Sequence, residues 1–208
     1  MRVFDRVHDQ QGDEGFLCER LERYVVELDN PFATTLEQFL LSGIRLCQSA
    51  AVLHADGKIH GDITPSNICL RDGLPVLIDM EMAVKEGQTL PDGDVTIDGY
   101  TCCTPACCSP EQAHHMPLHY ATDVYGIALT MLSWATGIFG VDHAHEEQTV
   151  QDSLDLCRQA RYPHWEFACH RIASRSTLYV LSYALQECPF DRYQDAQAFG
   201  QALLELQQ

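Results

Sequence analysis

Basic residues are scarce in this sequence. Its 208 residues include 13 lysines and arginines against 30 aspartates and glutamates, which gives a formal net charge of -17. Lys58 and Lys85 are the only lysines in the chain. So acidic a surface repels the phosphates of nucleic acids and of anionic membranes, and we expect neither as a partner. An ordinary solvated acidic surface explains this charge better than a specific attraction for basic partners.

Long apolar runs are also absent. The sequence contains no run of about 18 apolar residues, the length that indicates a transmembrane helix. Charged residues, among them Arg2, Asp5 and Asp9, interrupt any apolar stretch at the start, so we expect no secretory leader. The ten cysteines then fit reduced thiols better than disulfides. These features predict a cytoplasmic protein, or an effector that is delivered into a host cytosol.

The hydrophobic content and the order of the residue patterns predict one α+β domain over residues 1–208. At 46% hydrophobic residues, a chain of this length can bury one good core. The N-terminal region shows two strand patterns, at 2–8 and 16–28, and a short strand hairpin follows later. Helical patterns occupy residues 35–41, 42–53, 123–136, 146–160, 174–186 and 193–206, with Thr122 as the expected N-cap of the third.

Residues 54–81 hold the polar groups of greatest chemical interest. Asp62 and Asn67 lie five positions apart in a loop, and Asp79 follows a Gly turn and a short apolar strand. Phosphoryl transfer uses one carboxylate to accept the proton of the attacking hydroxyl. It uses an Asn and a second carboxylate to hold magnesium against the phosphates. The spacing of these three residues suits that chemistry, although Asp and Asn also form ordinary turns.

Several motifs resemble those of the eukaryotic-type (Hanks-type) Ser/Thr protein kinases, in the family's order. His60-Gly61-Asp62-Ile63-Thr64-Pro65-Ser66-Asn67 is similar to the catalytic loop, and Asp79-Met80-Glu81 stands where Asp-Phe-Gly falls. Residues 104–112, Thr-Pro-Ala-Cys-Cys-Ser-Pro-Glu-Gln, resemble the end of a bacterial activation segment. Asp123 to Leu129 resembles the start of the buried helix that follows, and Pro189 to Tyr193 resembles the loop that carries a structural Arg.

The resemblance implies a protein-kinase-like fold with a mainly helical large lobe at 30–208. A minimal N-terminal β-hairpin at 1–29, including the hinge, would stand in place of a full small lobe. It implies Asp62 as the proton acceptor and Thr104 as a residue that helps position the substrate hydroxyl. Asn67 and Asp79 would bind Mg²⁺. Val26, Glu27, Asp29 and Cys69 would line the ATP site.

Four further residues have structural roles in the family. His60 should hydrogen-bond the backbone near Asp79, and Asp123 should accept backbone amides of the catalytic loop. Glu111 and Arg192 should form a buried pair. Residues 85–100, rich in Gly and Asp with few apolar anchors, are expected to be a mobile activation loop.

The sequence also departs from the family. It contains no Gly-x-Gly-x-x-Gly, and neither lysine stands where the small-lobe Lys would. Gly61 replaces the usual Arg before the catalytic Asp, Thr64 replaces a Lys, and Glu81 replaces a Gly. Loss of two charged contacts to phosphate removes about 3 to 6 kcal/mol. That is roughly a 10²- to 10⁴-fold loss in nucleotide affinity or transfer rate.

Two functional hypotheses therefore stand. The first is an ATP- and Mg²⁺-dependent kinase acting on Ser/Thr of a protein substrate, which the retained polar residues favour. The second is a pseudokinase or kinase mimic that regulates a partner protein, which the missing phosphate contacts favour. The cysteine pairs at 102–103 and 107–108, followed by His114 and His115, resemble zinc ligands only superficially. Cys103 and Cys107 just meet the usual ligand spacing, but the resemblance places them in the segment that forms the substrate platform, where small buried side chains suffice.

The N-terminal hairpin predicts a further contact. Two strands alone are marginally stable, and an unpaired strand edge pairs readily with another chain. We therefore expect a partner or a homodimer contact at residues 1–28.

Overall fold

A computed structural model describes residues 3–8, 14–18, 22–23, 35–80, 83–89, 108–136 and 175–207. Three predicted features lie wholly or mainly outside these ranges: the hinge, the helix at 146–160, and most of the activation loop at 85–100. The described part has an α+β architecture of helices and small antiparallel sheets. Within it, no helix is both long and apolar enough to cross a membrane.

Short antiparallel strands make up the β structure. They are β1 (Val3–His8), β2 (Glu14–Cys18), β3 (Glu22–Arg23), β4 (Lys58–Ile59), β5 (Ile68–Arg71), β6 (Leu74–Leu77) and β7 (Val84–Lys85). β1 pairs with β2, β4 pairs with β7, and β3, β5 and β6 form a third sheet in the order β3-β5-β6.

The single strand predicted over residues 16–28 is wrong. β2 ends at Cys18 in the hairpin with β1, whereas β3 belongs to another sheet, where Arg23 is the partner of Cys69. The chain therefore passes from the N-terminal hairpin to the edge of the β5-β6 hairpin. That change of sheet gives the short β3 its hydrogen-bonded neighbour.

The longer helices bury the core between them. They are α1 (Leu36–Ala55), α3 (Tyr120–Thr136), α4 (Arg175–Ala184) and α5 (Ala196–Glu205), and the single turn α2 (Pro110–Ala113) precedes α3. Helix α1 contacts α3, α5 and β6. The centre of the core contains large, fully buried side chains from α1, α3 and α5: Phe39, Leu40, Leu46, Tyr125, Ile127, Met131 and Phe199.

Helix α1 is one helix where the sequence predicted two. Thr35 caps it, because its side chain accepts the N–H of Gln38. The helix runs on through Ser42 and Gly43, both buried, and the lack of a Cβ at Gly43 leaves room for Met131 of α3. These small residues do not break the helix, and Gly43 lies directly against Met131 of α3.

The first turn of α3 also differs from prediction. The helix begins at Tyr120, so Thr122 lies inside its first turn and is not the N-cap. The Thr122 hydroxyl accepts the N–H of His119 at 3.2 Å and donates to Glu111 Oε1 at 2.8 Å. Thr122 is thus the third residue of the helix, whereas its sequence pattern suggested the N-cap.

Candidate active site

The loop between β4 and β5 carries Asp62 and Asn67. A 3₁₀ turn, Pro65–Asn67, brings Asn67 back toward Asp62 and leads into β5. Asn67 Nδ2 donates to Asp62 Oδ2 at 2.7 Å and to the Asp62 carbonyl at 2.9 Å. The amide group is therefore oriented with its nitrogen toward Asp62, which leaves Oδ1 as its acceptor for another group.

Asp79 follows β6 and is brought to the same loop through its neighbour Ile78. The Ile78 N–H donates to the Asn67 carbonyl at 2.9 Å, and the His60 ring nitrogen Nε2 donates to the Ile78 carbonyl at 3.1 Å. Asp79 itself is exposed and adopts a left-handed backbone conformation, with φ of 63°. Asp tolerates this region better than most residues do. The backbone of Asp79 thus lies one residue from contacts with both His60 and Asn67.

Asp123, in the first turn of α3, accepts hydrogen bonds from the backbone of the loop. Its Oδ2 accepts the N–H of His60 at 2.9 Å, and its Oδ1 accepts the N–H of Gly61 at 3.0 Å. His60 and Asp123 are both almost fully buried, with at most 1% of their surface exposed. The predicted bond of His60 to backbone near Asp79 and the predicted amide contacts of Asp123 are both present.

Gly61 shows why the usual Arg position can hold a glycine here. Its φ is +77°, in the left-handed region that glycine enters without a steric penalty. This turn directs the Gly61 N–H toward Asp123 and presents Asp62 at the half-buried mouth of the loop. Thr64, by contrast, is buried, and its hydroxyl lies 2.7 Å from that of Ser66, so it stabilises the loop internally.

Helix α3 approaches the loop closely at Gly126. A Cβ at this position would lie 3.1 Å from the Ile63 carbonyl oxygen and 3.2 Å from Ile63 Cβ. One turn further on, the Thr130 hydroxyl donates to that same carbonyl at 3.4 Å. The helix therefore fixes the backbone directly after Asp62 as well as the backbone before it.

The predicted pair of Glu111 and Arg192 is also present. Arg192 Nη1 and Nη2 donate to the two Glu111 oxygens at 2.7 and 2.8 Å, and both side chains are buried. Burial alone would raise the pKa of Glu111. The hydrogen bond and charge of Arg192, with further hydrogen bonds from the backbone and Thr122, outweigh it and lower this pKa. Arg192 also donates to the Ala121, Gln186 and Glu187 carbonyls.

Two supporting residues were not predicted from the sequence. His54, at the end of α1, lies with Nε2 3.0 Å from Asp123 Oδ2, and its Nδ1 accepts the N–H of Ala196 at 3.3 Å. Gln112 donates from Nε2 to the Gly61 carbonyl. A buried polar residue in the last turn of an apolar helix was the available signal for His54. No local pattern pointed to the contact of Gln112.

Sequence comparison relates the chain to known proteins. The chain is 33% identical to serine/threonine-protein kinase D of Synechocystis sp. over 181 residues. This aligned region covers 85% of this chain and 32% of that protein. It is 31% identical over 130 residues to the DNA damage-responsive serine/threonine-protein kinase RqkA of Deinococcus radiodurans, covering 58% of this chain and 19% of that protein. This chain is related to the bacterial Hanks-type Ser/Thr protein kinases.

A third kinase extends the similarity over much the same share of the chain. Serine/threonine-protein kinase PknD of Chlamydia caviae is 27% identical over 197 residues, which is 87% of this chain and 20% of that protein. The chain thus spans about a third of the length of the Synechocystis kinase and about a fifth of the other two. No protein-family model matches the chain.

The remaining predicted site residues divide into two groups. Cys69 is buried in β5, paired with Val76 of β6 and Arg23 of β3. Thr104, Val26, Glu27 and Asp29 lie outside the residues that the structure describes. Their roles, and that of Cys69 in binding nucleotide, stay predictions.

Asn67 and Asp79 carry side-chain oxygens of the type that binds magnesium. Mg²⁺ prefers oxygen ligands and is usually held by one or two carboxylates together with substrate phosphates and waters. Asn67 Oδ1 and the Asp79 carboxylate are oxygens of this kind. Across the described ranges no three or more His, Cys, Asp and Glu side chains are grouped to hold a metal by themselves. A divalent ion bound here would therefore need ligands beyond the side chains of the described residues.

Proposed function

We propose that this chain is a protein kinase that transfers the γ-phosphoryl group of ATP to Ser or Thr hydroxyls of a protein substrate, with Mg²⁺. The observation that carries this proposal is the hydrogen-bonded pair of Asp62 and Asn67, at 2.7 Å, with Asp79 anchored beside it through Ile78. A scaffold would gain little from retaining these three polar side chains. The kinship with bacterial Ser/Thr kinases supports the same reaction class.

Each side chain has a distinct role in this proposal. Asp62 accepts the proton of the substrate hydroxyl as the new oxygen–phosphorus bond forms and the bond to the ADP oxygen breaks. Asn67 holds the Asp62 carboxylate through Nδ2. Asn67 Oδ1 and Asp79 would hold Mg²⁺, which supplies positive charge against the phosphate oxygens. Thr104 would help position the hydroxyl, and Val26, Glu27, Asp29 and Cys69 would contact the nucleotide.

The partners in this proposal are proteins in a cytosol. The substrate is a protein that presents a Ser or Thr hydroxyl, and the hairpin of β1 and β2 provides a contact for a partner or for a second copy of the chain. A partner contact of this kind satisfies the hydrogen-bonding groups on an unpaired strand edge.

A second function, a kinase-like binding module without turnover, is favoured by the placement of the lysines. Lys58 of β4 and Lys85 of β7 are directly paired across their small sheet, and both are exposed. Both lysines belong to the β4–β7 sheet, and neither stands where the small-lobe Lys of the family would. The sequence also has no Gly-x-Gly-x-x-Gly to cover the phosphates. Such a module would regulate a partner protein through its surface.

Nucleotide binding and turnover separate the two functions. The full chain is tested for Mg²⁺-dependent ATP binding by calorimetry and for phosphoryl transfer to a mixture of Ser/Thr peptides. The kinase proposal expects both activities in the natural chain. Asp79→Ala should weaken Mg²⁺-dependent binding, and Asp62→Ala should lower transfer by roughly 10²- to 10⁴-fold.

Asp56→Ala is the matched control, because Asp56 is an exposed carboxylate in the turn after α1. It should leave binding and transfer unchanged. ATP binding without transfer, or no binding at all, would support the binding module. Transfer that survives Asp62→Ala unchanged would contradict the role given to Asp62.

A further inference from the structure

The peptide group that joins Gly61 to Asp62 is held on both sides by side chains. Its carbonyl accepts a hydrogen bond from Gln112 Nε2, and its N–H donates to His60 Nδ1 at 3.3 Å. The neighbouring N–H of Gly61 donates to Asp123 Oδ1 at 3.0 Å. The plane of the peptide that leads into Asp62 is therefore fixed from two directions, one of which is Gln112.

Gln112 reaches the loop from a different part of the fold. It is the third residue of α2, and it lies 51 positions from Gly61 in sequence. Its Oε1 accepts the N–H of Ser109 at 3.0 Å, and its own N–H donates to the Ser109 hydroxyl at 3.4 Å. One buried amide thus closes the capping box of α2 with its oxygen and holds the catalytic loop with its nitrogen.

The chemistry of the side chain limits what could replace it. Gln offers an acceptor and a donor at the same end, whereas an ionised Glu offers acceptors alone. Its residue is about 5% exposed, so water does not readily substitute for either bond. A buried carbonyl that loses its donor is left unsatisfied, which disfavours the present orientation of the peptide.

We propose that Gln112 is a positioning residue, which orients the Gly61–Asp62 peptide and so couples α2 to the carboxylate of Asp62. The role of Asp62 as proton acceptor rests on the proposed function, but the coupling of α2 to the loop does not. A displacement of α2, which carries Gln112, moves the Gly61 carbonyl and with it Asp62. Gln112 does not itself contact the reacting atoms.

Two replacements of similar volume, Gln112→Met and Gln112→Leu, remove the Nε2 donor to Gly61 without leaving a large cavity. They also remove the Oε1 acceptor of the Ser109 N–H. The matched control is Ser109→Ala, which weakens the capping box of α2 but keeps the bond from Gln112 to Gly61. Amide hydrogen exchange across residues 60–67 is measured on each folded full chain. ATP-dependent transfer is measured in parallel, with kcat separated from the KM for ATP.

The Gln112 variants should speed exchange at the Asp62 amide by roughly tenfold, the effect of one lost hydrogen bond. They should lower kcat by about 10- to 100-fold, because a small displacement of a reacting group greatly lowers the rate. The KM for ATP should stay within about twofold of its natural value. Ser109→Ala should change neither quantity by more than about twofold.

Unchanged exchange in a folded Gln112 variant would overturn the proposal. So would equal effects of Ser109→Ala and the Gln112 variants, because both would then act through the stability of α2. If the natural chain transfers no phosphate, the kinase proposal fails, and the exchange measurement still decides the coupling.

Discussion

Two sets of polar residues differ sharply in their surroundings. The framework set, His60, Glu111, Asp123 and Arg192, is at most 2% exposed, and each member has several well-defined hydrogen bonds. The edge set is half-buried or exposed: Asp62 and Asn67 lie in the loop between β4 and β5, and Asp79 follows β6. A buried polar group that loses its hydrogen-bond partner lowers the free energy of unfolding, whereas an exposed group bonds to water instead. Loss of a framework residue should therefore lower the stability of the fold, and loss of an edge residue should lower the rate of phosphoryl transfer.

Removing a framework charge should have the largest effect on folding. We expect Arg192→Ala to lower the free energy of unfolding by about 3 to 5 kcal/mol, because it leaves the Glu111 carboxylate buried without its partner. Urea denaturation followed by circular dichroism measures the change. Arg45→Ala, at an exposed arginine that bonds to Gln48, is the control and should stay within about 0.5 kcal/mol. A loss below about 1 kcal/mol for Arg192→Ala would contradict the stabilising role given to Arg192.

The same pair predicts a dependence of stability on pH. The pKa of Glu111 is lower in the folded chain than its usual value, so the unfolded state binds more protons as acid is added. Its contribution is complete above the ordinary Glu pKa, about 4.3, and is lost as the pH falls through the folded value.

The unfolding free energies of the natural chain and of Glu111→Gln are compared from about pH 7 to about pH 3. Their difference should be several kcal/mol near neutrality and should shrink in acid. A difference that stays constant over this range would show that the charge of Glu111 contributes nothing to the framework.

A substitution where α3 packs against the backbone that follows Asp62 should have an intermediate effect. Gly126→Ala adds a Cβ 3.1 Å from the Ile63 carbonyl, whose backbone follows Asp62 and cannot easily move. We expect a loss of about 1 to 3 kcal/mol in the free energy of unfolding, together with slower phosphoryl transfer. Thermal denaturation and the transfer assay test both effects.

Gly43→Ala is the comparison for that variant. Its Cβ would meet the flexible end of the Met131 side chain, which can shift, and Ala favours a helix over Gly by up to about 1 kcal/mol. It should therefore reduce stability less and leave transfer nearly unchanged. Equal effects of the two substitutions would contradict a special contact of α3 with the loop.

The smallest effect is expected at charges that belong to neither set. Lys58 and Lys85 stand directly opposite each other in β4 and β7, and like charges in this arrangement repel. Lys85→Gln should raise the free energy of unfolding by about 0.2 to 0.5 kcal/mol at low salt, and less at high salt. Denaturation at two salt concentrations measures it. A loss of stability would indicate that Lys85 makes a favourable interaction that outweighs its repulsion by Lys58.

The framework set could be predicted from the sequence because the family's motifs name its members. His60, Asp123, Glu111 and Arg192 all make the contacts that the resemblance implied. Motifs of this kind encode contacts between residues that are far apart in the chain. They do so without requiring the backbone path between them to be known.

The contacts of His54 and Gln112 could not be predicted in this way. His54 bonds across 69 positions to Asp123 and across 142 positions to Ala196, and Gln112 bonds across 51 positions to Gly61. Local propensity carries no information on such pairs. The same limit explains the error at Thr122, whose pattern suits an N-cap but whose hydroxyl is bonded to Glu111 of another helix.

The transfer rate and the stability of Asp62→Asn, measured on one preparation, test the central claim most directly. Asn has the shape of Asp but cannot accept the substrate proton as a carboxylate does. We predict that the rate of phosphoryl transfer from ATP falls by about 10² or more. The free energy of unfolding should stay within about 0.5 kcal/mol of the natural chain. An unchanged rate, or a natural chain that transfers no phosphate, would contradict the account of Asp62 as the proton acceptor.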